Sequence, residues 1–260
     1  EVTATDSGGL TDSDTLEVRI VNRVTIEDIR AQLTDDIFAA CIDDVKYTDE
    51  ITYIDCHNRG VISISGVENF TNLLNLYMHS NLITEVDLSK NLKLWKIDLA
   101  RNQLTSINVS ENVLLEDLRL YGNNLSFLDV FNNPNLTNLA ISKNQINSID
   151  ISNNTLLERI NFSDNNIVSI DTSLNLKLEQ FGGYGNPQEH IDVIQNKNLT
   201  HFSTGGNNIS SVDVSFNEKL THFSIENATQ LKEIDITKNT KLVSLSVVST
   251  SLSELDISNN

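Results

Sequence analysis

His201 and His222 are the residues whose type and spacing come closest to metal chemistry in this chain of 260 residues. They stand one repeat period apart in the pattern described below, which would place them about 4.8 Å apart on neighbouring strands. Zinc requires a complete ligand set in fixed geometry, and Glu226 offers a candidate third ligand. We predict that this pair binds no metal and that the protein carries no cofactor.

The serine, histidine and aspartate residues show no arrangement that supports catalysis. No nucleophile stands in a strained turn motif, and no glycine-rich phosphate-binding loop follows a strand. We therefore predict that the protein is not an enzyme.

An acidic column recurs in the second half of each repeat and suggests a calcium ladder at first sight. Carboxylates one rung apart repel each other, however, and calcium requires six to eight oxygen ligands in a confined site. We expect these side chains to be solvated and to bond to neighbouring serines or to the backbone. The column consists of Asp87, Asn108, Asp129, Asp150, Asp171, Asp192, Asp213, Asp235 and Asp256.

Cys41 and Cys56 are too few for a disulfide framework and lack the spacing of a zinc site. We interpret them as two small buried apolar side chains, because free cysteine is among the most buried residue types. Pairing between them stays open if the protein is exported.

The net charge of −18 excludes two classes of partner. A chain this acidic repels phosphate backbones and anionic membranes, so we predict that nucleic acid is not a partner. No stretch of about 18 apolar residues is present, and the first residues lack the order of a signal peptide, so we predict no membrane insertion.

An internal repeat organises most of the chain. Each unit reads L-x-x-L-x-L-x-x-N-x-L, as in Leu115, Leu118, Leu120, Asn123 and Leu125. A first asparagine column recurs at a constant spacing, and a second column follows it within each unit. The first column contains Asn81, Asn102, Asn123, Asn144, Asn165, Asn186 and Asn207, and the second contains Asn91, Asn112, Asn133, Asn154, Asn175, Asn196, Asn217, Asn239 and Asn260.

This pattern resembles the leucine-rich repeat, and its short units are similar to those of bacterial surface proteins of the internalin type. The alternation in L-x-L predicts a short strand with one buried face, and the asparagine that follows can bond to backbone groups at the turn. The alternation in I-D-V-S predicts a second strand on the opposite side of each coil. We expect a mainly β leucine-rich-repeat solenoid with two short parallel sheets and a small helical N-terminal cap.

The ends of the array depart from the repeat. Residues 51–260 contain one atypical coil followed by nine units of 21–22 residues. Residues 23–50 carry apolar side chains at helical spacing, with Thr25 as N-cap and Asp28 behind it, and we predict that they cap the first coil. Residues 1–22 are similar to the terminal hairpin of a cadherin-like β-sandwich domain. No matching cap ends the sequence, which predicts truncation of a longer protein or end-to-end association through an uncapped C-terminal coil.

The exposed positions of the repeated strand do not repeat, and surface function in a solenoid belongs there. Five basic residues and two tyrosines fall on this face between Tyr77 and Arg159, and tyrosine and arginine are common at binding hot spots. We predict a ligand site there for an acidic or polar protein surface or a glycan; the alternative is an unliganded scaffold with ordinary solvated residues. The candidates are Tyr77, His79, Lys96, Asp98, Arg101, Arg119, Tyr121, Lys143 and Arg159.

The resemblance implies an extracellular adhesion or recognition module of a larger secreted or cell-surface bacterial protein, with a protein or glycan ligand on the concave face. Two other functions remain open. The chain could be a structural spacer in a multidomain surface protein, or an accessory, non-catalytic module of a secreted enzyme.

Overall fold

A computed structural model describes residues 23–42 and 45–260. These residues form a stack of coils that carries one β-sheet. The sheet is parallel and has ten strands in sequence order, one from each coil, so the predicted leucine-rich-repeat solenoid is confirmed. The strands are β1 (Tyr53–Asp55), β2 (Asn75–Tyr77), β3 (Lys96–Asp98), β4 (Asp117–Arg119), β5 (Asn138–Ala140), β6 (Arg159–Asn161), β7 (Gln180–Gly182), β8 (His201–Gly205), β9 (His222–Glu226) and β10 (Ser244–Val248).

Each of the strands β1 to β7 buries its central apolar residue, and the residues on either side of it face away from the core. In β4, Leu118 is fully buried between Asp117 and Arg119, and it aligns with Ile97 in β3 and Leu139 in β5. Because successive strand residues point to opposite faces, one face of the sheet belongs to the core and the other carries the non-repeating side chains.

The first asparagine column closes the turn after each strand, as predicted. Asn123 donates from Nδ2 to the carbonyls of Leu99 and Leu120 at 3.0 and 2.9 Å, and its Oδ1 accepts from the Leu104 amide at 3.0 Å. A buried side chain therefore satisfies backbone groups of two successive coils, which a tight turn inside a packed stack requires.

The second predicted sheet is absent from the described residues, and that part of the fold prediction is wrong. Side chains satisfy the backbone of the I-D-V-S segment instead of a neighbouring strand. Asp150 Oδ1 accepts from the Ser152 amide at 2.9 Å, and the Ile151 carbonyl accepts from Asn175 Nδ2 at 3.1 Å. Hydrogen bonding from the Ser152 amide, and then from the Ser152 side chain, lowers the pKa of Asp150. The acidic column thus accepts hydrogen bonds from the backbone amides two residues further along the chain, as expected.

The N-terminal cap contains two short helices, α1 (Ile26–Ile29) and α2 (Asp36–Ala40), and 3₁₀ turns at Arg30–Gln32 and Thr48–Glu50. A further 3₁₀ turn at Val67–Asn69 lies in the atypical first coil. The predicted N-cap is confirmed, since Thr25 Oγ1 accepts from the Asp28 amide at 3.1 Å and Asp28 Oδ2 accepts from the Thr25 amide at 2.8 Å. Asp35 begins α2 and also accepts from the Ile62 amide at 2.7 Å, which ties the cap to the first coil.

A disulfide joins Cys41, which follows α2, to Cys56, which follows β1. The interpretation of two unpaired thiols is therefore wrong. Packing of the cap on the first coil brings the two Cα atoms to 5.9 Å, within the range that a disulfide spans. Sequence composition carries no information on this proximity.

The two ends of the chain differ in what can be described. The predicted hairpin of residues 1–22 lies outside the described residues, and the domain limits remain predictions. At the other end Leu245 of β10 is 36% exposed, whereas Phe223, its partner in β9, is 2% exposed.

No helix in residues 23–42 and 45–260 combines the length and hydropathy needed to cross a bilayer.

Candidate ligand-binding ribbon

The predicted site residues lie together along five neighbouring coils on the exposed face of the sheet. Five of them belong to strands β2 to β6, and four follow within a few residues of a strand end. We call this surface the sheet ribbon. The strand residues of the sheet ribbon are Tyr77, Lys96, Asp98, Arg119 and Arg159, and the residues that follow strand ends are His79, Arg101, Tyr121 and Lys143.

Asp117 is the centre of the charged part of the sheet ribbon, and the sequence did not single it out. Lys96 Nζ lies 3.1 Å from its carboxylate, Arg119 donates through Nε and Nη2 at 3.0 Å each, and Asn138 Nδ2 donates at 2.5 Å. Burial raises the pKa of Asp117, but the hydrogen bonds from Asn138, Arg119 and Lys96 outweigh it, so the pKa lies below its ordinary value. Two of the five predicted cations are therefore already paired with Asp117.

Strand register explains this cluster. Lys96, Asp117 and Asn138 are directly aligned in β3, β4 and β5, while Asp98 and Arg119 are aligned in the adjacent column. Aligned side chains on neighbouring strands lie close enough to pair, so opposite charges in one column meet. Asp98 is buried and 4.0 Å from Arg119, and its Oδ1 accepts from the Ala100 amide at 3.2 Å.

Arg101 and Lys143 occupy the left-handed turn that follows each strand, with φ of 53° and 55°. Both are exposed, and neither forms an ion pair with a described carboxylate. The Arg101 guanidinium lies 5.5 Å from the centre of the Tyr121 ring, a distance at which a cation is attracted to the ring face. The turn therefore presents unpaired positive charge at the border of the sheet ribbon.

A depression of about 490 Å³ opens between Arg101, Arg119 and Arg159. It lies where β5 carries small residues: Ala140 is aligned with Arg119 on one side and Asn161 on the other. The side chains of the neighbouring coils form its walls. The lining residues are Arg101, Arg119, Tyr121, Asn138, Ala140, Ser142, Arg159, Ile160, Asn161 and Gln180.

The atypical first coil extends the sheet ribbon with residues that were not among the predicted site residues. Tyr53 and Tyr77 have ring centres 5.4 Å apart, and the His57 ring stacks on His79 at 4.6 Å. The Asp55 carboxylate links the two residues of the first coil, because it is bonded to His57 Nδ1 at 2.5 Å and accepts from the Tyr53 hydroxyl at 3.2 Å. Continuing the strand register one coil towards the N-terminus would have found these residues.

The histidines first considered for metal form a stacked pair on β8 and β9. The rings of His201 and His222 are 4.3 Å apart and nearly parallel, at 6°. Their Nδ1 atoms face the hydroxyls of Thr200 and Thr221 at 2.9 and 3.0 Å. Burial lowers the pKa of His201, and the nearby His222 ring lowers it further. Glu226 instead accepts from serine hydroxyls. Across the described chain, no three metal-ligating side chains converge.

Comparisons with known proteins agree on the fold. No protein-family model and no curated protein matches this sequence. Among solved structures, the functional domain of InlJ from Listeria monocytogenes is 24% identical, with a TM-score of 0.56 over 92% of this chain and 69% of that chain. An internalin (inlF) from Listeria monocytogenes is 20% identical, with a TM-score of 0.75 over 92% and 82%.

A third similar structure comes from an assembly of several proteins. The octameric complex of Latrophilin 3, Unc5D and FLRT2 (LRR) contains a chain that is 19% identical, with a TM-score of 0.60 over 78% of this chain and 68% of that chain. At these identities the likeness concerns the fold. The chain has the leucine-rich-repeat solenoid fold of internalin-type proteins.

Proposed function

We propose that this chain is a protein-binding recognition module whose ligand lies on the sheet ribbon. The observation that carries the proposal is the contrast between the two faces of one rigid sheet. The inward residues repeat as leucine, isoleucine or phenylalanine, while the outward residues change from coil to coil and combine tyrosine, arginine and aspartate. A fixed scaffold with varied polar and aromatic side chains holds a binding surface at low entropic cost.

Protein is the ligand class that we favour over glycan. The FLRT2 complex is an assembly of proteins, and the aromatic and arginine content of the sheet ribbon is typical of protein interfaces. The described residues that line the depression carry hydrogen-bonding groups for a partner surface, and none of them is a carboxylate, histidine or lysine that could act as a general base beside the Ser142 hydroxyl. We therefore propose binding, not catalysis, as the activity of this chain.

We further propose that the protein works outside the cell, secreted or at a bacterial surface, in adhesion or recognition. Two observations support this location. The internalin-type structures are similar over most of the chain, and the Cys41–Cys56 disulfide is the kind of bond that persists in oxidising compartments.

A binding screen tests the proposed function. The full chain is immobilised and exposed to an array of extracellular protein domains and, in parallel, to a glycan array. We expect saturable binding to a protein ligand that is lost when Arg119 and Tyr121 are both replaced by alanine. The matched control is Lys177→Ala, because Lys177 is exposed and lies outside the sheet ribbon.

Two outcomes contradict the proposal. Binding that persists unchanged in the Arg119→Ala, Tyr121→Ala double variant places the ligand elsewhere on the chain. Silence on both arrays supports a structural spacer instead.

A further inference from the structure

We propose that the depression between Arg101, Arg119 and Arg159 is a subsite for a single carboxylate side chain of an acidic segment on the protein partner. This inference rests on the proposed function and deepens it by naming the chemistry that the partner presents. The depression has a volume of about 490 Å³ and is lined by these three guanidinium groups.

The charge of the depression is opposite to that of the whole chain. The net charge is −18, with 36 acidic and 18 basic residues, yet none of the described residues that line the depression carries a carboxylate. Guanidinium groups bind carboxylates in bidentate geometry, and the pairing is stronger where water is partly excluded. Charge complementarity therefore selects an anionic group at this point of an otherwise acidic surface.

Two of the three guanidinium groups are held in place before a ligand arrives. Arg119 is fixed by two hydrogen bonds to Asp117 at 3.0 Å, and Arg101 rests 5.5 Å from the Tyr121 ring centre. Arg159 forms an exposed ion pair, with Nη2 3.5 Å from Glu158 Oε2. Exposed ion pairs contribute little free energy, so this one holds the Arg159 side chain only weakly. A carboxylate thus meets donors whose side-chain entropy is already partly lost.

The floor of the depression sets the size of the ligand group. Ala140 is shorter than the aligned Arg119 and Asn161 of the neighbouring coils, so the dip is about two strand spacings wide. This width suits one glutamate or aspartate side chain. An extended polyanion would continue past the dip onto Asp98 and Asp117 and be repelled by the net negative charge. The observations therefore favour an acidic protein segment over a sulfated glycan or a nucleic acid.

The test uses the full chain labelled with ¹⁵N, and the probe is glutarate, with uncharged glutaramide as the matched ligand control. NMR follows the arginine Nε–Hε signals. We expect saturable shifts of Arg101 and Arg159 with glutarate and none with glutaramide. Arg101→Gln and Arg159→Gln should each weaken glutarate binding about tenfold, the order expected for losing one charge-assisted hydrogen bond, while Lys177→Gln leaves it unchanged.

The outcomes separate this subsite from the broader proposal. Glutarate binding that is unaffected by Arg101→Gln and Arg159→Gln, or equally affected by Lys177→Gln, overturns the subsite. Preference for dextran sulfate over glutarate at these arginines indicates a polyanion site and also overturns it. A protein ligand that needs Tyr121 and Arg119 but ignores both glutamine variants would refute the subsite and leave the proposed function standing.

Discussion

Replacing Gln188 by leucine should stabilise the protein. Gln188 is fully buried, and neither atom of its side-chain amide has a hydrogen-bond partner among the described residues. It occupies the inward column that holds Ile167 and Ile209 in the adjacent coils, both fully buried. A buried amide without partners costs roughly 1–3 kcal/mol relative to its hydrated state, and leucine removes this cost with little change in length.

The next coil also departs from the regular hydrogen-bond pattern. Other members of the first asparagine column accept a backbone hydrogen bond on Oδ1, as Asn186 does from the Ile167 amide at 3.0 Å. Asn207 is different: its Nδ2 donates to Thr204 Oγ1 at 2.8 Å, and its Oδ1 has no described partner. Local polar packing is therefore disturbed around Gln188, and an apolar residue there restores the regular column.

Thermal unfolding followed by circular dichroism measures the effect. A gain of 1 kcal/mol raises Tm by about 2–4 °C in a chain of this size, so a gain of roughly 1–3 kcal/mol in Gln188→Leu should raise it by roughly 2–12 °C. Gln145→Leu is the matched control, because Gln145 is exposed, and it should leave Tm nearly unchanged. An unchanged or lower Tm for Gln188→Leu, with the control also unchanged, would refute the reasoning and indicate that the amide is satisfied within the fold.

Three further predictions concern the cap, the second asparagine column and the charged cluster. Reducing the Cys41–Cys56 disulfide, which closes 15 residues of chain, should lower the free energy of unfolding by about 3 kcal/mol, and urea unfolding with and without dithiothreitol measures this loss. Asn133→Ala should cost about 2–4 kcal/mol in the same assay, since the Val109 and Asn112 carbonyls of the preceding coil lose donors at 2.9 Å; equal stability would contradict the role of this column. Asp117→Asn should destabilise the protein at pH 7 and progressively less as the pH falls below 3.8. A carboxyl with a lowered pKa stabilises the fold above its ordinary pKa and loses that contribution on protonation. A difference in unfolding free energy between the two proteins that is constant with pH would contradict this reasoning.

Much of the fold could be predicted from the sequence because the information is local and repeated. The L-x-L alternation defines a strand with one buried face within each coil, and the asparagine that follows defines the turn. The same pattern in successive coils gives strand order and register without further information. The cap was predictable for a similar reason, since the Thr25 and Asp28 capping interaction spans three residues.

The candidate site was predictable only as a surface. Strand alternation identified which residues face outward, and the structure places Lys96, Arg119 and Arg159 on that face. It did not reveal that Asp117 pairs with two of the cations. That pairing depends on side-chain conformations in adjacent coils, where several acceptors compete for each donor.

The sequence by itself therefore determined the solenoid, its strand face and its varied outer residues, because each follows from a period that every coil shares. Only the tertiary structure decided the Cys41–Cys56 bond, the hydrogen bonds that replace a second sheet, and the depression above Ala140. Each of these depends on distances between residues in different coils, or between the cap and a coil. Packing sets those distances, and a single unit of the repeat contains no record of them.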